Sequence, residues 1–214
     1  MKILIITGGS VCEAFVKTVI EHEKYSYVIA VDGGALYAKQ IGVLPNLIVG
    51  DFDTLDKKVL QEYKEKGIEH ATYPAEKDYT DTHLAVEIAL QKKPTKITIV
   101  GGTGSRLDHT LGNIGLLLLA LKRNVFMEIV DQNNRMYMIE KECIIKKQST
   151  YGTYISLLPY SEVVSGITLT GFRYSMENET LSFGESRGIS NELVEKEGKI
   201  TVKKGFLLVI ESKD

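Results

Sequence analysis

Tryptophan is absent from the 214 residues, and cysteine (2) and proline (4) are scarce. Cys12 and Cys143 have no metal-type spacing and are too few for a disulfide framework. No sign of charge dominates: 26 Lys and Arg stand against 28 Asp and Glu. The balance is even along the chain, 15 basic to 16 acidic over residues 1–130 and 11 to 12 over 131–214. This removes the electrostatic case for nucleic acid or an anionic membrane as a partner. The apolar run around Leu116–Leu121 is far shorter than the roughly 18 residues that span a bilayer. Ile3–Ile6, before Thr7-Gly8-Gly9, is too short for a signal-peptide core of about 7–15 residues. The expected location is the cytoplasm. The length suits one or two domains and a core that needs no covalent staples.

Residues 1–131 alternate between two textures. Short β-branched runs at Ile3–Ile6, Tyr27–Val31, Leu47–Val49, Ile97–Val100 and Val125–Val130 read as buried strands of a mostly parallel sheet. Helical patterns lie between them. Phe15, Val16, Val19 and Ile20 share a face, Asp56–Lys66 stops at Gly67, and Ala85–Leu90 stops before Pro94. Such alternation predicts a doubly wound α/β domain. Residues 132–214 instead carry short strand-like runs (Ile155–Leu158, Gly166–Leu169, Glu179–Phe183, Ile200–Val202, Leu207–Ile210) between Gly, Ser, Asn and Glu-Lys clusters. That spacing predicts a small antiparallel β-sandwich or barrel, and the sandwich is the expectation adopted.

Acidic and glycine-rich clusters follow the N-terminal strands. They are Asp32-Gly33-Gly34, Gly50-Asp51-Phe52-Asp53-Thr54, Lys77-Asp78-Tyr79-Thr80-Asp81, and the stretch from Gly101 to His109 that includes Gly102, Arg106 and Asp108. Ligands of open parallel sheets bind beyond the carboxyl ends of the strands, so these clusters should converge on one edge. Six aspartates there (32, 51, 53, 78, 81, 108) would repel one another without a cation. Hard oxygen ligands suit Mg²⁺, completed by waters and phosphate oxygens. Aspartate also favours loops and helix caps for local reasons, and Asp81 is placed to cap the helix that follows. The Gly101–Ser105 turn before an apolar helix has the makings of a phosphate nest. A tight structural turn would need the same glycines. It is neither a Walker loop nor a dinucleotide fingerprint. Lys77 and Arg106 are cations set among carboxylates, where phosphate would be stabilised.

Other chemistry finds little support. The four histidines (22, 70, 83, 109) have no zinc spacing. There is no Gly-x-Ser-x-Gly elbow, and Cys12 reads as a small helix residue.

The clusters Asp32-Gly33-Gly34, Gly50–Thr54, Asp78–Asp81 and Gly101-Gly102…Arg106-Leu107-Asp108-His109 together resemble the thiamine pyrophosphokinase family. The later stretch Gly171-Phe172-Arg173-Tyr174…Leu181–Gly184…Gly188-Ile189-Ser190-Asn191 is similar to that family's thiamine-contacting β-domain. The resemblance implies transfer of the terminal diphosphate of ATP to the hydroxyethyl oxygen of thiamine, with Mg²⁺ as metal. It also implies a homodimer with sites shared between subunits. By that resemblance Asp51, Asp53 and Asp81 are metal positions, with Asp51 and Asp81 catalytic. Asp32, Lys77, Asp78, Thr80, Gly102, Arg106, Asp108 and His109 would contact ATP, and Tyr174, Ser190 and Asn191 the thiamine rings. Some members carry Trp near the position of Tyr174. Three rivals share features with this pattern: a metal-dependent nucleotide-sugar transferase using Asp51-Phe52-Asp53, a diphosphokinase acting on a pterin alcohol, and a non-catalytic nucleotide or thiamine sensor.

Overall fold

The structure, a computed structural model, describes residues 1–50, 57–72 and 78–214. It divides into two compact units, Met1–Gln132 and Asn133–Asp214.

In the first unit the five apolar runs become strands β1 (Lys2–Ile6), β2 (Tyr27–Val31), β3 (Leu47–Gly50), β5 (Lys96–Val100) and β6 (Phe126–Val130), and the more polar Glu69–Thr72 forms β4. All pair in parallel, in the order β6-β5-β1-β2-β3-β4. Between them run helices α1 (Glu13–His22), α2 (Gly34–Gln40), α3 (Lys57–Glu65), α4 (Asp81–Gln91) and α5 (Leu107–Lys122). The chain winds outward from β1 through β4, then returns to the other side of β1 to begin β5. The sheet therefore has a topological switch point between β1 and β5. Both of its faces are covered. Leu4, Ile6, Ala30, Ile48, Val100 and Val130 pack with Val16 of α1, Ala35 and Ala38 of α2, and Val59 and Tyr63 of α3. Ile3, Ile5, Ile29, Ile97 and Ile99 are fully buried and alternate onto the opposite face, and α4 contacts β1, β2, β3 and α5. Burying each such side chain contributes about 1.5–3 kcal/mol. The doubly wound α/β expectation describes this unit.

Helix α2 has no counterpart in the sequence reading, which saw only the Asp-Gly-Gly turn. Its seven residues are too few to form by propensity, and the burial of Ala35 and Ala38 stabilises it. Gly34 is required because a Cβ there would lie 2.0 Å from the Ile6 carbonyl oxygen.

The second unit is a sandwich of two antiparallel sheets. Its strands are β7 (Asn134–Ile139), β8 (Glu142–Lys146), β9 (Tyr154–Pro159), β10 (Val163–Thr170), β11 (Met176–Ser182), β12 (Asn191–Glu192), β13 (Glu197–Thr201) and β14 (Leu207–Ser212). One sheet runs β12-β9-β14-β7, the other β11-β10-β13-β8. Between them Tyr137, Ile155, Leu157, Leu207 and Val209 meet Ile145, Val164, Ile167, Leu169, Leu181 and Ile200. Strands β7, β8 and β12 were not anticipated. The first two fall where the texture changes, and the third has only two residues.

At the amino ends of the parallel strands lies a polar cluster. Lys96 Nζ sits 2.6 Å from Glu23 Oε2 and 2.8 Å from Glu128 Oε1, and Lys2 Nζ is 2.6 Å from Glu23 Oε1. Glu128, itself buried, also accepts a hydrogen bond from the Thr98 hydroxyl at 3.0 Å. Partial burial pushes the Glu23 carboxyl up, but the hydrogen bonds and charges of Lys2 and Lys96 outweigh it and hold it below the usual range. A depressed carboxylate stabilises the fold above its unfolded pKa of about 4.3, and loses that contribution as pH falls through its folded value. Glu23→Gln should therefore cost about 1 kcal/mol at pH 7. The gap to wild type should close as the pH is lowered below about 4.3. Thermal melts of both chains from pH 7 to pH 3 check this; a gap that widens on acidification would contradict it.

Candidate active site

The carboxyl ends of β1, β2 and β5 open onto a cavity of about 610 Å³. It is bordered by the turn after β1 (Thr7–Ser10), Asp32 and Gly33 after β2, the Gly101–Arg106 turn after β5, and His109 and Asn113 of α5. This is the switch point, where the loops after β1 and β5 part to opposite sides of the sheet. A smaller cavity of about 310 Å³ is lined by Asp32, Asp78, Tyr79, Thr80, Asp81, Thr82 and His109. Asp32, Thr82 and His109 border both.

The two glycine-rich turns are laced together. The Gly9 N–H donates to Gly101 O at 3.0 Å, and the Ser10 N–H donates to Thr103 O at 2.7 Å. The Thr7 hydroxyl also donates to Gly101 O. The approach is close enough that a Cβ on Gly9 would lie 2.2 Å from Gly101 O and 2.3 Å from Thr103 O. Gly101 itself has φ +71°, a conformation glycine adopts without penalty.

Asp32 has φ +45°, a left-handed conformation that aspartate tolerates better than most residues. Its N–H donates to Val49 O at 3.0 Å, and its Oδ1 is buried over Gly50, where a Cβ would come within 1.8 Å of it. Thr80 caps α4, its hydroxyl accepting from the His83 N–H at 3.2 Å. Asp81 is thus the first helical residue and not the cap that the sequence reading entertained. The Tyr79 and His83 rings stack at a tilt, with centroids 4.4 Å apart.

Helix α5 starts earlier than its apolar run suggested, so Asp108 and His109 stand on its first turn, not in the loop. The polar Asp108-His109-Thr110 between Leu107 and Leu111 interrupts the apolar run by which the helix is read. Arg106 reaches Asp108 with two donors, Nη2 to Oδ2 at 2.6 Å and Nε to Oδ1 at 3.3 Å. The guanidinium, followed by the His109 backbone N–H, holds the Asp108 carboxyl below the usual range. Asp108 lines neither cavity, although Arg106, Gly102 and His109 line the larger one. Asp51, Asp53 and Lys77 lie outside the described residues. Among the described residues, no group of three or more His, Cys, Asp or Glu side chains is gathered to hold a metal ion.

In the second unit, Tyr174, Ser190 and Asn191 come together. The buried Asn191 side chain accepts from the Tyr174 N–H at 3.0 Å and donates to the Tyr174 carbonyl at 2.7 Å. Ser190 has φ +57°, and its N–H donates to the Ser156 hydroxyl at 3.0 Å. Tyr174 itself is 61% exposed. Beside it Arg173 Nη1 pairs with Glu192 Oε1 at 2.7 Å, and that hydrogen bond and charge raise the guanidinium's pKa further.

Residues 19–129 match the family description "Thiamin pyrophosphokinase, catalytic domain". Residues 142–207 match "Thiamin pyrophosphokinase, vitamin B1 binding domain". The chain belongs to the thiamine pyrophosphokinase family. The thiamine pyrophosphokinase of Bacillus subtilis (strain 168) is 37% identical over 193 residues, 90% of either chain. A crystal structure of the Bacillus subtilis thiamine pyrophosphokinase superposes with a TM-score of 0.89 at 34% identity, covering 100% of both chains. One from Geobacillus thermodenitrificans gives 0.86 at 32% identity, over 100% of this chain and 98% of that one. Membership makes the chain an enzyme, a thiamine diphosphokinase of mixed α/β fold.

In this family member, sequence reasoning missed Thr7–Ser10, Tyr37, Thr110 and Asn113 as cavity wall. The first had a visible signal, since Thr7-Gly8-Gly9-Ser10 follows a buried strand just as Gly101–Ser105 does. Asn113 showed only as one polar residue in an apolar helix. The close approach of the two turns makes Gly9→Ala a direct test of the cavity. The added Cβ should force the turns apart and cut turnover about tenfold or more, while circular dichroism retains the fold. Turnover within twofold of wild type would mean the lacing does not shape the site.

Proposed function

We propose that the chain moves the terminal diphosphate of ATP to the hydroxyethyl oxygen of thiamine, giving thiamine diphosphate and AMP. One observation carries the reading: in a chain of this family, a glycine-rich turn, Arg106 and Asp32 border one cavity at the sheet's switch point. Such a turn followed by a helix of 16 residues suits the phosphate chain of a nucleotide. Arg106 can fork onto two phosphate oxygens, and Asp108 holds it pre-formed at the rim. Thr80, Asp78 and His109 extend the polar wall of the smaller cavity, and Lys77 would add a second cation to the phosphates.

In the reaction, thiamine's alcohol oxygen bonds to the β-phosphorus, and the bond from that phosphorus to the oxygen bridging to the α-phosphate breaks. AMP leaves with the bridging oxygen. The alcohol proton passes to a carboxylate, with Asp51 and Asp81 the acceptors in view. Positioning and charge neutralisation do most of the work in phosphoryl transfer. Carboxylates would also attract the cationic thiazolium ring. The donors bordering the smaller cavity, Asp32, Asp78 and Asp81, are hard oxygen ligands that fit Mg²⁺. We assign the ion to Asp81 with Asp51 and Asp53, where it would neutralise charge on the diphosphate. Purified protein with ATP, Mg²⁺ and thiamine should yield AMP and thiamine diphosphate in equal amounts. A pterin product, nucleoside diphosphate release or binding without turnover would each refute the reading. Asp51→Asn should lower the rate about a hundredfold or more with an unchanged circular dichroism spectrum. A near-normal rate at saturating Mg²⁺ would remove Asp51 from the metal site.

We further infer a homodimer whose sites are shared, with Tyr174, Ser190 and Asn191 holding thiamine. The exposed apolar residues Leu107 (70%) and Leu111 (65%) on one face of α5 are what a subunit interface would cover. A cytoplasmic location accords with the even charge balance; no helix among the described residues is long and apolar enough to cross a membrane. Complementation tests the sharing. Asp51→Asn and a Ser190/Asn191 double-alanine variant, each inactive alone, should regain activity when unfolded and refolded together. Mixed dimers that form, by differential tagging, yet remain inactive would show that each site belongs to one chain.

A further inference from the structure

The Gly101–Thr103 backbone is held by its carbonyls. Gly101 O accepts from the Gly9 N–H and the Thr7 hydroxyl, and Thr103 O accepts from the Ser10 N–H. Between them, Gly102 O is taken by a side chain: Asn113 Nδ2 donates to it at 2.8 Å. Asn113 is buried, on the second turn of α5, in a helix whose other buried residues are Leu116, Leu117 and Ala120. The Thr103 hydroxyl is tied separately to Asp131 Oδ2 at 2.9 Å.

In a trans peptide the C=O of one residue and the N–H of the next point in opposite directions. Fixing Gly102 O therefore fixes the Thr103 N–H on the side away from Asn113. None of the Gly102, Thr103 and Gly104 N–H groups donates to a backbone carbonyl among the described residues, and all three residues border the larger cavity. Rotation of this peptide is hindered from below as well. Gly102 sits so close to the sheet that a Cβ would lie 2.9 Å from Ile129 Cγ2 and 3.2 Å from Ile99 Cγ2.

We propose that Asn113 is a positioning residue for the phosphate tail of the nucleotide: by holding the Gly102 carbonyl it aims the Thr103 N–H at a phosphate oxygen. The inference rests on the ATP-dependent reaction proposed above. It assigns to a buried amide of α5 a part in nucleotide affinity that exposure and charge would not suggest. A role in packing alone would affect stability and every substrate together. A role in aiming the N–H affects only ligands that carry phosphate.

Asn113→Asp keeps the shape but, when ionised, turns a donor into a second acceptor against Gly102 O. Binding of ATP, inorganic diphosphate and adenosine to this variant is measured by calorimetry, beside its KM for ATP and for thiamine. Kd for ATP and for diphosphate should rise about tenfold or more, the loss expected for one hydrogen bond to a charged group. Adenosine affinity and the KM for thiamine should stay within twofold. Equal weakening of adenosine and ATP, or no weakening of either, would overturn the assignment. Where the variant does not fold, the wild-type chain decides. Its ¹⁵N-labelled Thr103 amide should shift downfield when diphosphate is added, and an unmoved amide at saturation overturns the proposal. Wild-type protein that makes thiamine diphosphate with an unmoved Thr103 amide removes only this inference. Wild-type protein that binds neither ATP nor diphosphate removes the parent reading as well.

Discussion

The contact on which the first unit's chemistry depends is between two backbones. The turn after β1 gives its N–H groups to the carbonyls of the turn after β5, and the sheet's reversal of strand order is what brings those turns together. Strand order alone would leave a crevice of unspecified shape there. The N–H to carbonyl bonds fix its width to that of an unsubstituted Cα, which explains the glycines better than flexibility does. Glycine here is selected for thinness. The consequence reaches the cavity wall, because the carbonyls of the turn after β5 are engaged by the turn after β1 and by Asn113.

The fold was legible where the sequence patterns were long or punctuated. The five apolar runs of the first unit, and most strands of the sandwich, stand within a few residues of where β-branched composition puts them. What escaped was decided by tertiary contact. Helix α2 is short and begins with glycine, so only the sheet beneath it makes it helical. Strand β7, Asn134–Ile139, begins with polar residues and follows Asp131, so a reading by composition takes it for linker.

The candidate site was legible in the same uneven way. Aspartate and glycine clusters after strands announce themselves, and Asp32, Asp78 and Asp81 do border one cavity. Asp108 does not, because it stands on the first turn of α5 with its carboxylate on Arg106. Thr7–Ser10 follows the same strand-then-glycine rule but lacks a charged residue to draw attention. Asn191 shows the converse: a polar residue in a suggestive motif is buried, with its amide turned to the Tyr174 backbone. Motif reading finds the residue type, and only the hydrogen bonds reveal which atom is left to act.

Asp32 and Gly50 carry a consequence for how this protein can vary. Asp32 Oδ1 lies over the glycine with no room for a methyl group between them, and the aspartate backbone already has a positive φ. Neither position can therefore drift by itself. A side chain at 50 would meet that carboxylate and, at φ +155°, would stay strained even with residue 32 shortened, while shortening residue 32 removes an acid from both cavities. In a combinatorial library glycine should therefore persist at 50 whatever stands at 32. The constraint joins the last residue of β3 to the residue that follows β2, 18 positions apart in the sequence.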